Sequence, residues 1–364
     1  MKFRRMEIEE WFDRYQYEVE YDIGESGVKF FNLGDFDLNA RIQLRYGYHR
    51  GNPCLRELII RDYSEMSEEN VVVTTGASEA NFSIIASLVD SGDHMIIEHP
   101  NYPSLYEVPA SLGLKFDFLR LDFNEKFRPQ LNELEKLVKK NTRLVVLTHP
   151  NNPTGSTLTL KELEKVIDLA ESNDFYLLLD ETYREISYGD SLPPAATLSS
   201  NAISVTTMSK AYGLPGIRIG WVVADRRVLE GVVAVREQLS ICNSVIGEAI
   251  AENVLKRKTP FLKNIRKKVI ENLEILETWF NKQSRLEWVP PSGGVVCFPH
   301  YSGKTDKLCR ILAEKYRTFT VPGYCFGMDE YLRIGFGGEK EELKEGLKRV
   351  EEAVKDLERS KQGS

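Results

Sequence analysis

The 364-residue sequence lacks the features of several protein classes, and each absence narrows what the chain can do. It has no apolar run near the roughly 20 residues that cross a bilayer, and its first residues lead into acidic, aromatic sequence instead of an apolar signal core. Lysine and arginine number 48 against 55 aspartates and glutamates, so the net charge of -7 provides no basic field for nucleic acid. These absences predict a cytoplasmic protein without a membrane or nucleic-acid partner.

Cysteine and histidine are few and show no pattern. The five cysteines are odd in number and never form a Cys-x-x-Cys pair, which argues against both a disulfide framework and a zinc site. The five histidines also lack the spacing of metal ligands. We therefore expect reduced thiols and no metal, in a chain whose 42% hydrophobic and 28% charged residues are typical of a globular protein.

What the sequence does have is a lysine in an unusual setting. Lys210 lies among short hydroxyl residues in Thr207-Met208-Ser209-Lys210-Ala211-Tyr212-Gly213, and Arg218 follows eight positions later. An apolar, strand-like run at residues 219–223 comes next. A lysine and an arginine at the edges of buried strands usually have anionic partners, so the segment marks Lys210 as a candidate for chemistry. Taken alone, Lys210 is also compatible with an ordinary exposed lysine.

Two upstream strands also end in polar residues. The apolar run at residues 144–148 leads into His149-Pro150-Asn151-Asn152-Pro153-Thr154-Gly155, and the run at 175–179 leads into Asp180-Glu181-Thr182-Tyr183. Polar groups at the carboxyl ends of buried strands mark a site in α/β proteins. With Lys210 added, an amide, a carboxylate, a phenol and an amine fall at three consecutive strand ends, about 30 residues apart, as one βαβ unit per step requires.

A phosphate-binding turn is predicted just after residues 71–75, which form a β-branched strand. Gly76 permits a tight turn there, and Ala77 and Ser78 open a helix. The free backbone N–H groups at the start of such a helix bind anions. Gly76 alone is equally compatible with an ordinary turn.

The order of these motifs resembles that of the class I and II aminotransferases, which are pyridoxal-phosphate enzymes of fold type I. The matching segments are Tyr46-Gly47 with Gly51 and Leu55-Arg56-Glu57, Thr75-Gly76-Ala77-Ser78-Glu79-Ala80, Pro100-Asn101-Tyr102-Pro103, Asn151-Asn152-Pro153-Thr154-Gly155, Asp180-Glu181-Thr182-Tyr183, Ser209-Lys210 with Arg218, Val321-Pro322-Gly323 with Phe326-Gly327, and Tyr331-Leu332-Arg333-Ile334. Each segment alone is weak evidence, but eight in order are specific. The resemblance implies an aminotransferase that moves an amino group between an L-amino acid and a 2-oxo acid, and that acts as a homodimer.

The resemblance also implies a role for each matching residue. Lys210 would hold the aldehyde of pyridoxal phosphate and then act as general base, and Asp180 would keep the pyridine nitrogen protonated. Asn152 and Tyr183 would hydrogen-bond the phenolic oxygen. The remaining cofactor contacts are assigned to Gly76, Ala77, Ser78, Tyr102, Thr207, Ser209 and Arg218, and to Tyr46 reaching across from the partner subunit.

Substrate contacts are predicted at Arg333, Asn152 and Gly34. Arg333 lies in an apolar strand, where its planar guanidinium is costly to bury unless it binds a carboxylate through two parallel hydrogen bonds. A buried structural ion pair is the alternative. Gly34 lies in Leu33-Gly34-Asp35-Phe36-Asp37, which lacks the proline of the family's Gly-x-x-x-Pro loop.

This departure from the family affects one wall of the substrate site. Only eight residues separate Asp37 from Tyr46, so we expect that wall to be shortened or rebuilt. Arg41 and Arg45 are interpreted as helix-surface charges in preference to groups that read an acidic side chain. The amino acid that the enzyme uses is therefore left open.

Alternating strands and helices predict a doubly wound α/β fold. The predicted strands begin at Val71, His94, Lys115, Leu144, Phe175, Ala202 and Arg218. A capping box of Thr159 and Glu162 opens a helix between two of them. The resemblance implies a seven-stranded, mostly parallel sheet in a large cofactor-binding domain, residues 41–260, and a smaller α+β domain made of residues 1–40 and 261–364.

Two alternatives to an aminotransferase remain open. The same cofactor site supports a lyase, a decarboxylase or a cyclase acting on an amino acid, since reaction outcome depends on the altered wall. The other alternative is a non-catalytic cofactor-binding module. Such a module normally carries an added DNA-binding region or has lost the lysine, and this sequence shows neither feature.

Overall fold

The computed structural model describes residues 2–39, 41–189 and 191–362. Its strands are β1 (Tyr21–Asp22), β2 (Val71–Thr74), β3 (His94–His99), β4 (Lys115–Arg120), β5 (Thr142–Thr148), β6 (Tyr176–Asp180), β7 (Ala202–Thr207), β8 (Gly220–Val223), β9 (Leu286–Glu287), β10 (Val296–Cys297), β11 (His300–Tyr301), β12 (Thr318–Phe319), β13 (Val321–Pro322) and β14 (Leu332–Gly335). Its helices are α1 (Glu7–Tyr15), α2 (Pro53–Ile60), α3 (Ala77–Leu88), α4 (Ser104–Leu112), α5 (Leu131–Leu137), α6 (Leu160–Asn173), α7 (Arg226–Leu239), α8 (Val245–Leu255), α9 (Lys258–Phe280), α10 (Thr305–Glu314) and α11 (Lys340–Gln362).

Seven strands form one sheet in the order β2-β8-β7-β6-β5-β3-β4. The neighbours from β7 to β4 are parallel, and β8 runs antiparallel to both β2 and β7. Each strand starts within two residues of its predicted start. The prediction of a mostly parallel, seven-stranded α/β sheet is confirmed.

Helices cover both faces of the sheet, which is why its strands are apolar on both sides. On one face α3 and α7 pack through Ile84, Leu229 and Val232 against strand residues such as Val222. On the other face Val166 of α6 packs against strand residues of a separate cluster. The predicted capping box of α6 is present, with the Thr159 side chain accepting from the Glu162 N–H and the Glu162 side chain accepting from the Thr159 N–H.

The N-terminal segment packs on the C-terminal part of the chain. Tyr21 of β1 pairs with Thr318 of β12 in a parallel bridge, and α11 covers this pair. A three-stranded sheet of β10, β14 and β13 lies in the same part. This contact is the one that the predicted small domain requires, but the domain boundaries stay a prediction, and the boundary residues 1, 40 and 364 lie outside the described residues. Within the described ranges, no helix combines the length and apolar character needed to cross a membrane.

The parallel strands bring their polar ends to one edge. Thr148 at the end of β5 pairs with Asp180 at the end of β6, and β7 ends beside them at Thr207. The short loops that follow these strands therefore meet above the same edge of the sheet.

Candidate active site

A cavity of about 280 Å³ lies above this edge of the sheet. Eleven of the predicted site residues line it: Ala77, Ser78, Tyr102, Asn152, Asp180, Tyr183, Thr207, Ser209, Lys210, Arg218 and Arg333. They come from five strand ends or loops and the start of α3, and the remaining wall comes from the N-terminal segment. The fold thus gathers most of the predicted residues at one place.

Lys210 lies just beyond β7 and presents its amine to the N-terminal segment. Its Nζ donates to Ser26 Oγ at 2.9 Å and to Glu25 Oε1 at 3.1 Å. Burial lowers the pKa of Lys210, but Glu25 and Tyr183 together raise it by more, so the net shift is upward. The amine is therefore held by an anion, as the sequence predicted for a lysine at this position.

Asp180 ends β6 as a buried carboxylate whose partners are neutral. Its Oδ2 accepts from Asn81 Nδ2 at 3.0 Å, and its Oδ1 accepts from Thr182 Oγ1 at 2.5 Å. Burial raises the pKa of Asp180, and these hydrogen bonds only partly offset that effect. Among the described residues Asp180 has no ion-pair partner. The protonated ring nitrogen of a bound cofactor would supply the positive charge that the site lacks.

The predicted turn is present at Gly76, directly before the start of α3. Gly76 has a φ of 83°, which favours glycine, and a Cβ added there would lie 2.7 Å from Arg218 Nη2 and so would displace the guanidinium. Arg218 Nη1 is held by the carbonyl oxygen of Pro215 at 2.9 Å, and Ser209 Oγ lies 3.4 Å from it. A helix N-terminus, a guanidinium and two hydroxyls, from Ser209 and Thr207, fit a phosphate group.

Arg333 lies in β14 and is 1% exposed. Its Nη1 donates to Asn152 Oδ1 at 3.1 Å and its Nη2 to the Gly24 carbonyl oxygen at 2.8 Å, but its Nε has no hydrogen-bond partner. None of the described carboxylates lies within ion-pair distance of it, which argues against the alternative of a structural ion pair. A buried guanidinium without an anion is a candidate for binding a ligand carboxylate.

Two phenols join the sheet side of the cavity to the N-terminal segment. Tyr183 OH donates to the Ser26 carbonyl oxygen at 2.7 Å, and Tyr102 OH donates to Glu9 Oε1 at 2.7 Å. Burial, together with Glu9, raises the pKa of Tyr102 well above its usual value, so the phenol keeps the proton that it donates.

Two predicted residues lie away from the cavity. Gly34 is in an exposed 3₁₀ turn (Leu33–Asp35), with nothing within 4 Å of an added Cβ, and the cavity wall is formed by Glu25 and Ser26 instead. The reason is that the backbone N–H of Val28 bonds to the Lys210 carbonyl oxygen, which brings the earlier part of the segment to the site. Tyr46 is 81% exposed and does not line the cavity of its own chain.

Sequence reasoning missed several residues of the cavity. Asn81 could have been found, because it lies one helical turn after Ala77 and therefore on the same face of α3. Glu25 and Ser26 had only the weak signal of Gly24 before them. For Glu9, Ile8 and Phe12 of α1 the sequence offered no signal, since their place depends on how the N-terminal segment packs.

Comparisons with known proteins agree with this geometry. The family model described as aminotransferase class I and II matches residues 37–350. An aspartate aminotransferase of Pyrococcus horikoshii is 31% identical over 85% of this chain and 83% of its own. A crystal structure of a PLP-dependent aminotransferase from Streptococcus suis superposes with a TM-score of 0.93 at 29% identity, covering 98% of this chain and 99% of that one. The PLP-dependent cyclase OrfR superposes with a TM-score of 0.91 at 26% identity, covering 98% of both chains.

Proposed function

Because the chain belongs to the class I and II aminotransferases, whose cofactor is pyridoxal phosphate, we propose that this cavity transfers an amino group between an L-amino acid and a 2-oxo acid. One observation carries the assignment of the site. A single cavity joins the amine of Lys210, the buried carboxylate Asp180 without a cation, and the buried arginine Arg333 without a carboxylate.

The residues of the cavity fit the cofactor. Asp180 would bind the ring nitrogen, the start of α3 with Ser209 and Arg218 would bind the phosphate, and Lys210 would hold the aldehyde. Asn152 and Tyr183 would lie beside the phenolic oxygen, and Tyr102 beside the ring. When bound, pyridoxal phosphate supplies an electron sink for the bond that breaks at the substrate Cα.

The chain's own side chains would perform the binding and the proton transfer. Arg333 would bind the α-carboxylate and so fix the orientation of Cα. Lys210 Nζ would accept the proton from Cα and deliver it to C4′ of the cofactor. The ionised Asp180 would keep the ring nitrogen protonated, because an opposite charge nearby favours the charged form.

The test is a substrate panel with the cofactor-loaded protein. L-amino acids should convert the bound cofactor from its aldehyde to its amine form, and 2-oxo acids should restore the aldehyde, as followed by absorbance. Absence of this conversion with every amino acid of the panel would contradict the proposal.

A lyase or cyclase acting on an amino acid is the second candidate, favoured by the similarity to OrfR over nearly the whole chain. It would release ammonia, carbon dioxide or a cyclised product without accumulation of the amine form. Product chromatography on the same samples distinguishes the two.

The proposal includes a homodimer in which Tyr46 reaches the phosphate of the partner's site. Its support is an exposed segment with large apolar side chains, Leu44 at 78% and Tyr46 at 81%, together with a separate hollow of about 910 Å³ lined by Phe30, Phe31 and Phe261. Exposed apolar groups in such number are typical of an interface. All five cysteines are free thiols, and this supports the proposed cytoplasmic location, because disulfides are rare in that compartment.

A mixed dimer tests the shared site. Tyr46→Ala damages the neighbour's site and Lys210→Ala damages its own, so one site of a hybrid collects both defects and the other collects neither. Co-expression should therefore restore up to about half of the wild-type activity per hybrid dimer if the sites are independent. A fully active monomer in sedimentation, or confirmed hybrids without activity, would exclude the shared site.

A further inference from the structure

The cavity carries more negative charge than the proposed reaction uses. Its charged side chains are Glu9, Glu25, Asp180, Lys210, Arg218 and Arg333. The proposed function commits Asp180 to the ring nitrogen, Arg218 to the phosphate, Arg333 to the α-carboxylate and Lys210 to the aldehyde. Two carboxylates, Glu9 and Glu25, then remain, and no cation of the described cavity wall is left to meet them.

Glu9 faces the cavity from α1, half-buried. Its side chain accepts one hydrogen bond, from the neutral Tyr102 OH at 2.7 Å, and no described cation lies within 4 Å of it. A carboxylate bound by a single phenol retains most of its capacity to accept hydrogen bonds.

Glu25 has a cationic partner only while Lys210 is free. Burial raises the pKa of Glu25, but Lys210 and Arg333 lower it by more, so the carboxyl is ionised at neutral pH. Once Lys210 holds the cofactor, its ammonium at 3.1 Å is lost, and the nearest remaining side-chain donor is Gln16 Nε2 at 3.4 Å. Loading the cofactor therefore leaves the Glu25 carboxyl in the wall without its ion-pair partner and with only a weak neutral side-chain donor.

Given the proposed function, on which this inference rests, we propose that the substrate is an amino acid whose side chain carries a cation, either an ammonium or a guanidinium, and that Glu9 and Glu25 recognise this cation. The partnerless Nε of Arg333, in the same cavity, anchors the carboxylate end of the same ligand. A dicarboxylic amino acid would place its second carboxylate against two others. The substrate class thus differs from that named for the aspartate aminotransferase of Pyrococcus horikoshii, despite 31% identity.

Isosteric substrate pairs test the inference with the cofactor-loaded enzyme. Arginine is compared with citrulline, and lysine with 6-hydroxynorleucine, because each pair keeps its length and differs in charge. The cationic member of at least one pair should have a kcat/KM about tenfold to a hundredfold higher, the size of one charge-assisted hydrogen bond. The pair with the larger ratio identifies guanidinium or ammonium as the group recognised.

Two variants assign the preference to residues. Glu9→Gln and Glu25→Gln keep the shape of the wall and remove one charge each, so each should lower the charged-to-neutral ratio by about tenfold. Glu10→Gln is the matched control, because Glu10 lies beside Glu9 on α1 but is exposed and faces Arg5. It should leave the ratio at the wild-type value. An unchanged ratio in both Glu9→Gln and Glu25→Gln would overturn the assignment.

Binding gives a readout that does not depend on turnover. The compounds 5-guanidinopentanoate and 5-ureidopentanoate form one pair, and 6-aminohexanoate and 6-hydroxyhexanoate form the other. All four lack the α-amine and cannot react, and titration calorimetry should show at least tenfold tighter binding of the cation in at least one pair. If aspartate is turned over in preference to every cationic substrate, the inference is overturned but the proposed transamination stands. A cation from a second copy of the chain, such as its Arg45, would then have to bind the second carboxylate of aspartate. If no amino acid converts the cofactor, the proposed function fails, and the calorimetric pairs still decide the inference, because equal binding within both pairs contradicts it.

Discussion

The two walls of the cavity are built in different ways. The sheet wall consists of Asn152, Asp180, Tyr183, Thr207, Ser209, Lys210 and Arg218 with the start of α3, and it is fixed by strands of one continuous sheet. The N-terminal wall consists of Ile8, Glu9, Phe12, Glu25 and Ser26. It is joined to the sheet wall by single hydrogen bonds, such as those of Tyr183 and Tyr102.

The two walls therefore have different roles: the sheet wall serves the reaction, and the N-terminal wall serves the choice of substrate. The sheet wall holds the groups that any reaction of this cofactor needs, and its burial keeps their geometry rigid. The N-terminal wall holds the groups left over for the substrate side chain, on helix α1 and on the irregular segment that follows β1. We therefore expect damage to the sheet wall to abolish the reaction, and damage to the N-terminal wall to change which substrate is used.

The largest effect is expected for Lys210→Ala, which removes the general base from the sheet wall. Turnover should fall at least about a thousandfold, within the range for loss of general acid-base catalysis, while the protein stays folded. Borohydride reduction of the wild-type holoenzyme should fix the cofactor on Lys210, as shown by peptide mapping. Lys161→Ala, at an exposed helix position, is the control and should keep full activity. An adduct on another lysine would reject the assignment.

The second-largest effect is expected for Asp180→Asn, which should slow proton abstraction about a hundredfold to a thousandfold. A loss of this order is typical when one electrostatic contact is removed from a site that excludes water. The amide keeps the size and shape of the carboxyl group but loses the charge that favours a protonated ring nitrogen. Single-turnover kinetics should slow far more than the cofactor's dissociation constant rises. Near-normal single-turnover rates would rule the role out.

Arg333→Lys should lower kcat/KM by about tenfold to a hundredfold, because lysine keeps the charge but loses the planar fork. Amines without an α-carboxylate should be affected much less, since they do not use the fork. Equal losses for both classes of substrate would mean that Arg333 is structural. This variant sharpens the comparison, because Arg333 also donates to Gly24 at the start of the N-terminal wall.

Tyr183→Phe removes the phenol that joins the two walls. Losing its hydrogen bond to Ser26 should lower the free energy of unfolding by about 1 kcal/mol. The KM for the amino acid should rise several-fold, which is the change in a binding constant that about 1 kcal/mol produces. Tyr188→Phe is the matched control, because Tyr188 OH also donates to a carbonyl oxygen, that of Gly294, but does not line the cavity. It should cost similar stability without the change in KM. Equal KM values in the two variants would mean that the walls are joined by other contacts.

The smallest effect concerns the pH dependence of stability in the cofactor-free protein. Burial raises the folded-state pKa of Asp180 above 3.8, so the folded state binds this proton more tightly than the unfolded state does. The stability that this proton contributes is lost as pH rises from about 4 through the raised pKa. The melting temperature of Asp180→Asn relative to wild type should therefore increase between about pH 4 and pH 7. A constant difference across this range would contradict the shift.

The parts predicted best are those with a local signal. β-branched and apolar runs gave the strand starts to within two residues, and the polar residues that follow them, such as Asp180, then had to meet at one edge. The site loop of the N-terminal segment was predicted at Gly34, while the cavity is lined by Glu25 and Ser26, which lie nine and eight residues earlier. That segment has neither helical nor strand periodicity there, so nothing local fixed its position.

By itself, then, the sequence determined the sheet, the strand-end groups and the turn at Gly76, because hydrophobic periodicity and a glycine at φ 83° act over a few residues. Only the tertiary structure decided that Glu9, Glu25 and Arg333 share one cavity. Arg333 bonds to a carbonyl oxygen 309 positions away, and Lys210 to a carboxylate 185 positions away. Such contacts form because the two ends of the chain pack together and bury apolar surface, and no spacing within the sequence encodes which polar groups that packing brings face to face.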